Sequence, residues 1–128
     1  MRALLDTHAL LWWLADDFAL SAAATRFIAN PKNTIVVSAA SAWEIATKVR
    51  IGRLPMAATL VTDFEAWLRL EGFEQLSISL DHAVRAGQLP GPHRDPFDRM
   101  LVAQSQAENV PLISNEVLFD GYGVRRIW

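Results

Sequence analysis

The amino-acid sequence predicts an α/β fold, a three-layer α/β/α sandwich around a mostly parallel sheet of four to five strands. Three observations carry this. Apolar runs too short for helices recur along the chain, as strands buried on both faces do. One or two stretches of helical periodicity separate most of them, the length that a crossover between parallel strands requires. The 128 residues, 52% hydrophobic and 20% charged, suffice for one substantial core and are read as a single domain, 1–128.

The elements follow in order. Arg2-Ala3-Leu4-Leu5 is the first strand and stops at Asp6. Thr7 is the expected cap of a short helix built on Leu10, Leu11, Trp12, Trp13 and Leu14. Ser21 caps a second helix containing Ala24, Phe27 and Ile28, which Asn30-Pro31 ends. Thr34-Ile35-Val36-Val37 is β-branched and continuous, a buried strand. Ser38 caps a third helix through Trp43, Glu44 and Lys48 to about Arg50, before Gly52 and Pro55 break the chain. A fourth helix is expected over about Thr59 to Glu71, with Leu60, Phe64, Trp67 and Leu68 on one face and Gly72 as its stop. Phe73 to Ile78 reads as a third strand and Asp81 to Gln88 as a short helix. Leu89-Pro90-Gly91-Pro92-His93 is a rigid loop, and Asp95-Pro96-Phe97-Asp98 opens a helix that runs from Met100 to Glu108. Pro111-Leu112-Ile113 is a further strand, and Val124 to Ile127 a last one at the edge.

The composition excludes several classes. Twelve Lys and Arg against fourteen Asp and Glu leave a charge of −2, too little for an electrostatic grip on nucleic acid over the whole surface, though a local basic rim remains open. With no Cys there are no disulfides, thiol nucleophiles or thiolate metal sites. His8, His82 and His93 lack the i,i+4 spacing of a histidine zinc site. The longest apolar run, Ala9 to Ala15, falls well short of the roughly 20 residues of a spanning helix, and no secretory pattern is visible. The expectation is a cytoplasmic protein with no membrane partner. Trp43 and Trp67 share helical spacing with apolar neighbours and are expected in the core. Trp12 and Trp13 are adjacent, so one helix face cannot bury both, which suggests an exposed apolar groove or a dimer surface.

In a parallel sheet, ligands bind beyond the carboxyl ends of the strands, and that is where the acids fall. Asp6 follows the first strand, Glu44 lies two turns into the helix after the second, Asp95 and Asp98 open a helix, and Asn115-Glu116 follow the strand 111–113. Each has a purely structural alternative. Asp6-Thr7 fits a helix cap, Glu44 and Lys48 an i,i+4 ion pair, Asp95 to Asp98 a helix start, and Asn115-Glu116 the beginning of a short helix. Capping, however, does not require the acids to meet at one edge of one sheet. Carboxylates converging in a confined site repel one another unless a cation joins them, and Mg²⁺ or Mn²⁺ with oxygen ligands and waters resolves the conflict. Such an ion is the usual equipment for phosphodiester hydrolysis.

At this point the sequence resembles the PIN-domain ribonucleases, specifically toxins of the VapC type from toxin–antitoxin pairs. The resemblance covers essentially the whole chain. Its carriers are Leu4-Leu5-Asp6-Thr7-His8, the segment Ser38 to Ile45, the segment His93 to Gln104, and Pro111 to Glu116, with Tyr122-Gly123-Val124 near the end. It implies a Mg²⁺- or Mn²⁺-dependent endoribonuclease. Asp6, Glu44 and Asp98 match its three core acids, and Asp95 an additional one. At the fourth acidic position relatives often carry Asp where this chain has Glu116, beside Asn115, so an outer role through water is expected there. Thr7 and Ser38 match hydroxyl residues that assist. Asp6, Asp98 and Asp95 are then expected to hold the metal and Glu44 to orient or deprotonate the attacking water. Lys48, Arg50, Arg53, Arg94 and Arg99 are candidates for a basic rim that receives RNA. The resemblance further implies a homodimer and an antitoxin that lays a helix and tail into a groove.

Three rivals remain. A phosphatase of the haloacid dehalogenase type would need a second Asp two residues after Asp6, where His8 stands. A phospho-accepting receiver would need paired acids before the first strand, and there are none. The rival from another class is a catalytically inactive PIN-like domain that only binds a partner.

Overall fold

Alternation along the strands sets the layers. Side chains on a strand point to opposite faces in turn, and in the computed structural model, which describes residues 1–128, Ala3, Leu5, Ile35, Val37 and Ile113 enter one buried cluster. Leu4, Val36 and Leu112 enter a second cluster on the opposite face of the sheet. Both faces of these three strands are therefore covered, and they read as nearly unbroken apolar runs.

The order is β1 (Arg2–Leu5), α1 (Thr7–Leu14), α2 (Ala22–Ala29), β2 (Thr34–Ser38), α3 (Ala39–Arg50), a 3-10 turn (Pro55–Ala57), α4 (Ala58–Thr62), α5 (Phe64–Glu71), β3 (Glu74–Leu76), α6 (Leu80–Gln88), α7 (Pro96–Glu108), β4 (Leu112–Ile113), a 3-10 stretch (Val117–Tyr122) and β5 (Arg126–Ile127). The sheet runs β3-β2-β1-β4-β5 with every pair parallel, as the α/β/α reading expects. Leu5 pairs with Val37 on one side and Ile113 on the other, so the three central strands end level with one another. That common edge positions the site. No helix is long and apolar enough to cross a membrane.

Four local expectations are corrected. The helix expected over 59–71 is two helices, because Asp63 leaves helical geometry (φ −147°, ψ 67°) and its carboxylate caps α5 at Ala66 N. Thr7 is not the cap of α1. Asp6 is, accepting from Ala9 N at 2.7 Å, while Thr7 turns its hydroxyl to Ser41 Oγ at 3.0 Å. Trp43 is 62% exposed and Trp67 38%, so neither is a core residue. The sheet-facing positions of α3 are taken by Ala40, Ser41, Glu44 and Ile45 instead.

Trp12 and Trp13 divide their contacts, each half-buried. Trp12 packs on Trp128 and His8, whereas Trp13 packs on Phe73 and donates its indole N–H to Glu71 at 3.1 Å. An apolar recess of about 380 Å³ opens beside Trp12, lined also by Leu54, Met56, Leu60 and Trp67.

Candidate active site

Asp6 is held at the carboxyl end of β1. Its backbone N–H donates to Ile113 O at 3.1 Å, tying it to the end of β4, and its side chain is buried. Burial pushes the Asp6 carboxyl above its ordinary range. The Ser114 hydroxyl, the Ala9 N–H and the charge of His8 oppose that rise, and Glu44 adds to it. Asp6 thus combines two readings the sequence left as alternatives: it caps α1, and it presents a buried carboxylate to the other acids.

Glu44 arrives from α3. Its side chain is only 3% exposed; Oε2 lies 2.5 Å from Lys48 Nζ, while Oε1 is buried with no hydrogen-bond partner. The i,i+4 pair with Lys48 exists, but it is anchored in the interior and not solvated on both ends. Nearly two turns earlier Ser38, itself buried, caps α3 by accepting from Ala40 N at 3.0 Å, and Ser41 accepts from the Thr7 hydroxyl.

Asp95 and Asp98 come from the start of α7. Asp95 is its N-cap, with one oxygen accepting from Phe97 N at 2.9 Å and Asp98 N at 3.2 Å. Asp98 sits in the first turn. Burial first, then the charge of Asp95, and after these Glu44 and Asp6 push its carboxyl up to about 6, while the nearby His93 imidazole lowers it. The acid after β1, the acid within α3 and the two at the start of α7 are thus near enough to shift one another's carboxyls.

Two residues to which the sequence assigned no role stand in the site. Ser114 is fully buried, acts on Asp6, and accepts from Glu116 N at 2.9 Å. His93 places Nε2 3.0 Å from Asp98 Oδ2, in an orientation that leaves that nitrogen without a proper hydrogen bond. Both lie inside motifs quoted above, and a small hydroxyl directly after β4 is the one signal that points to Ser114.

The remaining candidates lie outside this group. Asn115 is exposed, and Glu116 accepts from Leu118 N at 3.1 Å as the cap of the 3-10 stretch. The charge of Glu116 acts on Arg126, and Glu116 is not among the groups that shift Asp6 or Asp98. Arg50, Arg53 and Arg94 are exposed and form no salt bridge. Arg99 does not belong to a basic rim. Its guanidinium turns inward and donates to the carbonyls of His93 (3.0 Å), Ala86 (3.2 Å) and Leu89.

The donor set fits a hard dication. The candidate ligands are all carboxylate oxygens, burial raises Asp6 and Asp98 despite the nearby His8 and His93, and Glu44 Oε1 is a buried acceptor without a donor. No three of the groups stand near enough to enclose an ion by themselves.

The comparison with known families decides the class. The family model described as "PIN domain" matches residues 3–123. The chain belongs to the PIN-domain family. Among solved structures, a chain of VapBC2 from Rickettsia felis, bound to a DNA fragment from their promoter, is similar with a TM-score of 0.71 at 16% identity over 98% of this chain and 97% of that one. A chain of FitAcB from Neisseria gonorrhoeae gives 0.62 at 14% identity, covering 97% and 95%. A toxin–antitoxin complex from Klebsiella pneumoniae gives 0.53 at 20% identity, covering 89% and 86%. At these identities the likeness is one of fold. No curated protein matches this PIN domain in sequence.

Proposed function

We infer that this PIN domain is a metal-dependent endoribonuclease, hydrolysing RNA phosphodiester bonds as the toxin of a toxin–antitoxin pair. The observation that carries the reading is Asp98, raised to about 6 by burial first, by its near neighbour Asp95 next, and after these by Glu44 and Asp6 from distant parts of the chain. Such mutual repulsion is tolerated where a cation is meant to join the group.

Asp6 and Asp98 would hold Mg²⁺ or Mn²⁺, with Asp95 and Glu44 assisting and Glu116 standing outside. The bound ion would supply charge stabilisation to the scissile phosphate and acidify a water. The chain's own groups do the positioning. Lys48 fixes Glu44 through Oε2, leaving Oε1 free to accept a proton from the attacking water. Ala9 N–H and Ser114 fix Asp6, and His93 flanks Asp98. Arg50, Arg53 and Arg94 have charge to spare for the RNA backbone. The partner reading is supported by neighbours that are toxin–antitoxin complexes; the recess at Trp12, Met56 and Trp67 suits an antitoxin helix, and a homodimer fits the same reading.

The test is cleavage of a structured RNA with and without Mn²⁺. Activity should vanish with EDTA, in Asp6→Ala and in Asp6→Asn. Asn caps a helix about as well as Asp, so Asp6→Asn keeps the fold and isolates the chemistry. Cleavage that persists in Asp6→Asn without metal overturns the mechanism. No cleavage of any RNA, with antitoxin binding retained, establishes the inactive partner-binding domain instead. A gel-filtration mass of one chain at micromolar concentration excludes the homodimer.

A further inference from the structure

Trp43 is the largest aromatic side chain that the fold leaves in solvent without an evident purpose. It is 62% exposed, yet it is not loose: its ring meets Phe97 edge-to-face at 4.9 Å and 77°. Phe97 comes from the start of α7, so the pair bridges the two helices that deliver Glu44 and Asp98. Trp43 directly precedes Glu44, and Phe97 directly precedes Asp98. A recess of about 240 Å³ adjoins the pair, lined by Trp43, Phe97, Ala40, Ile78, Ala86 and Met100.

The charges around it say what the platform receives. Seven residues on a helix fall about 20° short of two turns, so Arg50 lies on the Trp43 face of α3, roughly 10 Å further along. Arg50 is exposed and unpaired. The only acid of α3, Glu44, is turned into the interior, so the outer surface of this helix opposes no polyanion. An exposed aromatic ring held by Phe97, next in sequence to Glu44 and on the same helix face as an unpaired guanidinium, matches the repeat of a nucleic acid strand, base beside phosphate.

We propose that Trp43, backed by Phe97, is a stacking platform for an unpaired base of the RNA next to the bond to be cut, with Arg50 on the neighbouring phosphate. This rests on the nuclease reading for the chemistry, and it restricts the substrate to a single-stranded loop or end. Bases inside a duplex are stacked on each other and have no free face to offer.

Binding in EDTA tests this separately from catalysis. A short end-labelled RNA strand is titrated with the protein, and so is the same strand annealed to its complement. The single strand should bind more tightly and quench tryptophan fluorescence. Trp43→Ala should weaken its binding about five- to hundred-fold, the loss expected for one stacked base. Trp43→Phe should keep most of the affinity and lose the quench. With Mn²⁺, Trp43→Ala should raise KM and leave kcat largely intact. Equal affinity for strand and duplex, or unchanged strand affinity in Trp43→Ala, overturns the proposal. So does conversion of a dimer to single chains in Trp43→Ala with affinity per chain preserved, since the platform is then a contact between copies. Intact binding with no cleavage by the wild type sinks the nuclease reading alone.

Discussion

Asp98 carries an electrostatic conflict that can be read as stability. A carboxyl whose folded pKa is about 6 instead of 3.8 holds its proton more tightly in the fold than in the unfolded chain. Its contribution to stability is full below about pH 4 and is lost as the pH rises through 6. In metal-free protein, Asp98→Asn removes the conflict. It should raise the melting temperature relative to wild type at pH 7.5, by the equivalent of about 1–2 kcal/mol once solvent screening at this partly exposed carboxyl is allowed for. The gain should shrink towards zero at pH 4, where both side chains are neutral. Mn²⁺ should stabilise the wild type and leave the variant nearly unmoved, since a ligand that binds only the folded state raises its stability by mass action. Thermal melts at the two pH values, with EDTA and with Mn²⁺, check all three statements. A variant that melts below wild type at pH 7.5 in EDTA would mean that the acids do not share a field.

Among the elements, the turn from α6 into α7 depends on one side chain. Arg99 reaches back from α7 to carbonyls of Ala86, Leu89 and His93, pinning the loop that brings His93 to Asp98. Gly91 in that loop has φ +98°, and a Cβ there would lie 2.9 Å from the Tyr122 hydroxyl, so the loop has little room to adjust. Arg99→Ala should cost about 2–3 kcal/mol in urea unfolding, because three partly buried carbonyls lose a charged donor. Arg99→Lys should recover only part, since an ammonium cannot reproduce the planar fork. Equal stability of all three proteins would show that the loop holds itself. This role was not legible in the sequence, because the partners of Arg99 are main-chain atoms that no side-chain pattern announces. The break of the fourth helix was closer to legible: Asp63 with Glu65 after it has the make-up of a helix start, but continuous apolar spacing through Leu60, Phe64 and Leu68 concealed it. The three central strands were legible because a segment buried on both faces must be continuously apolar. Trp43 misled because helical spacing shows which residues can share a face, not which face meets the sheet.

At the scale of the whole molecule, all five strands point the same way, so one edge collects whatever follows β1, β2 and β4. That is why the acids could be assembled on paper from separate segments, and why Glu116, diverted into a cap beside Arg126, could not be placed. The same geometry limits how the protein can hold RNA. With a net charge of −2, Lys48 committed to Glu44 and Arg99 committed to carbonyls, the free cations of the expected rim are Arg50, Arg53 and Arg94. Each phosphate neutralised on a single strand contributes about −0.7 to the slope of log affinity against log salt. Three such contacts give a slope of about −2, shallow beside proteins that grip nucleic acid over a broad basic face. Binding of a single-stranded RNA in EDTA across a salt series should show that slope. Arg50→Ala should make it shallower by about 0.7, and Lys48→Ala should leave it unchanged, since Lys48 is held by Glu44. A much steeper slope in the wild type would require cations beyond this rim to touch the strand. A slope near zero would remove the arginines from the interface and leave stacking alone to hold the RNA.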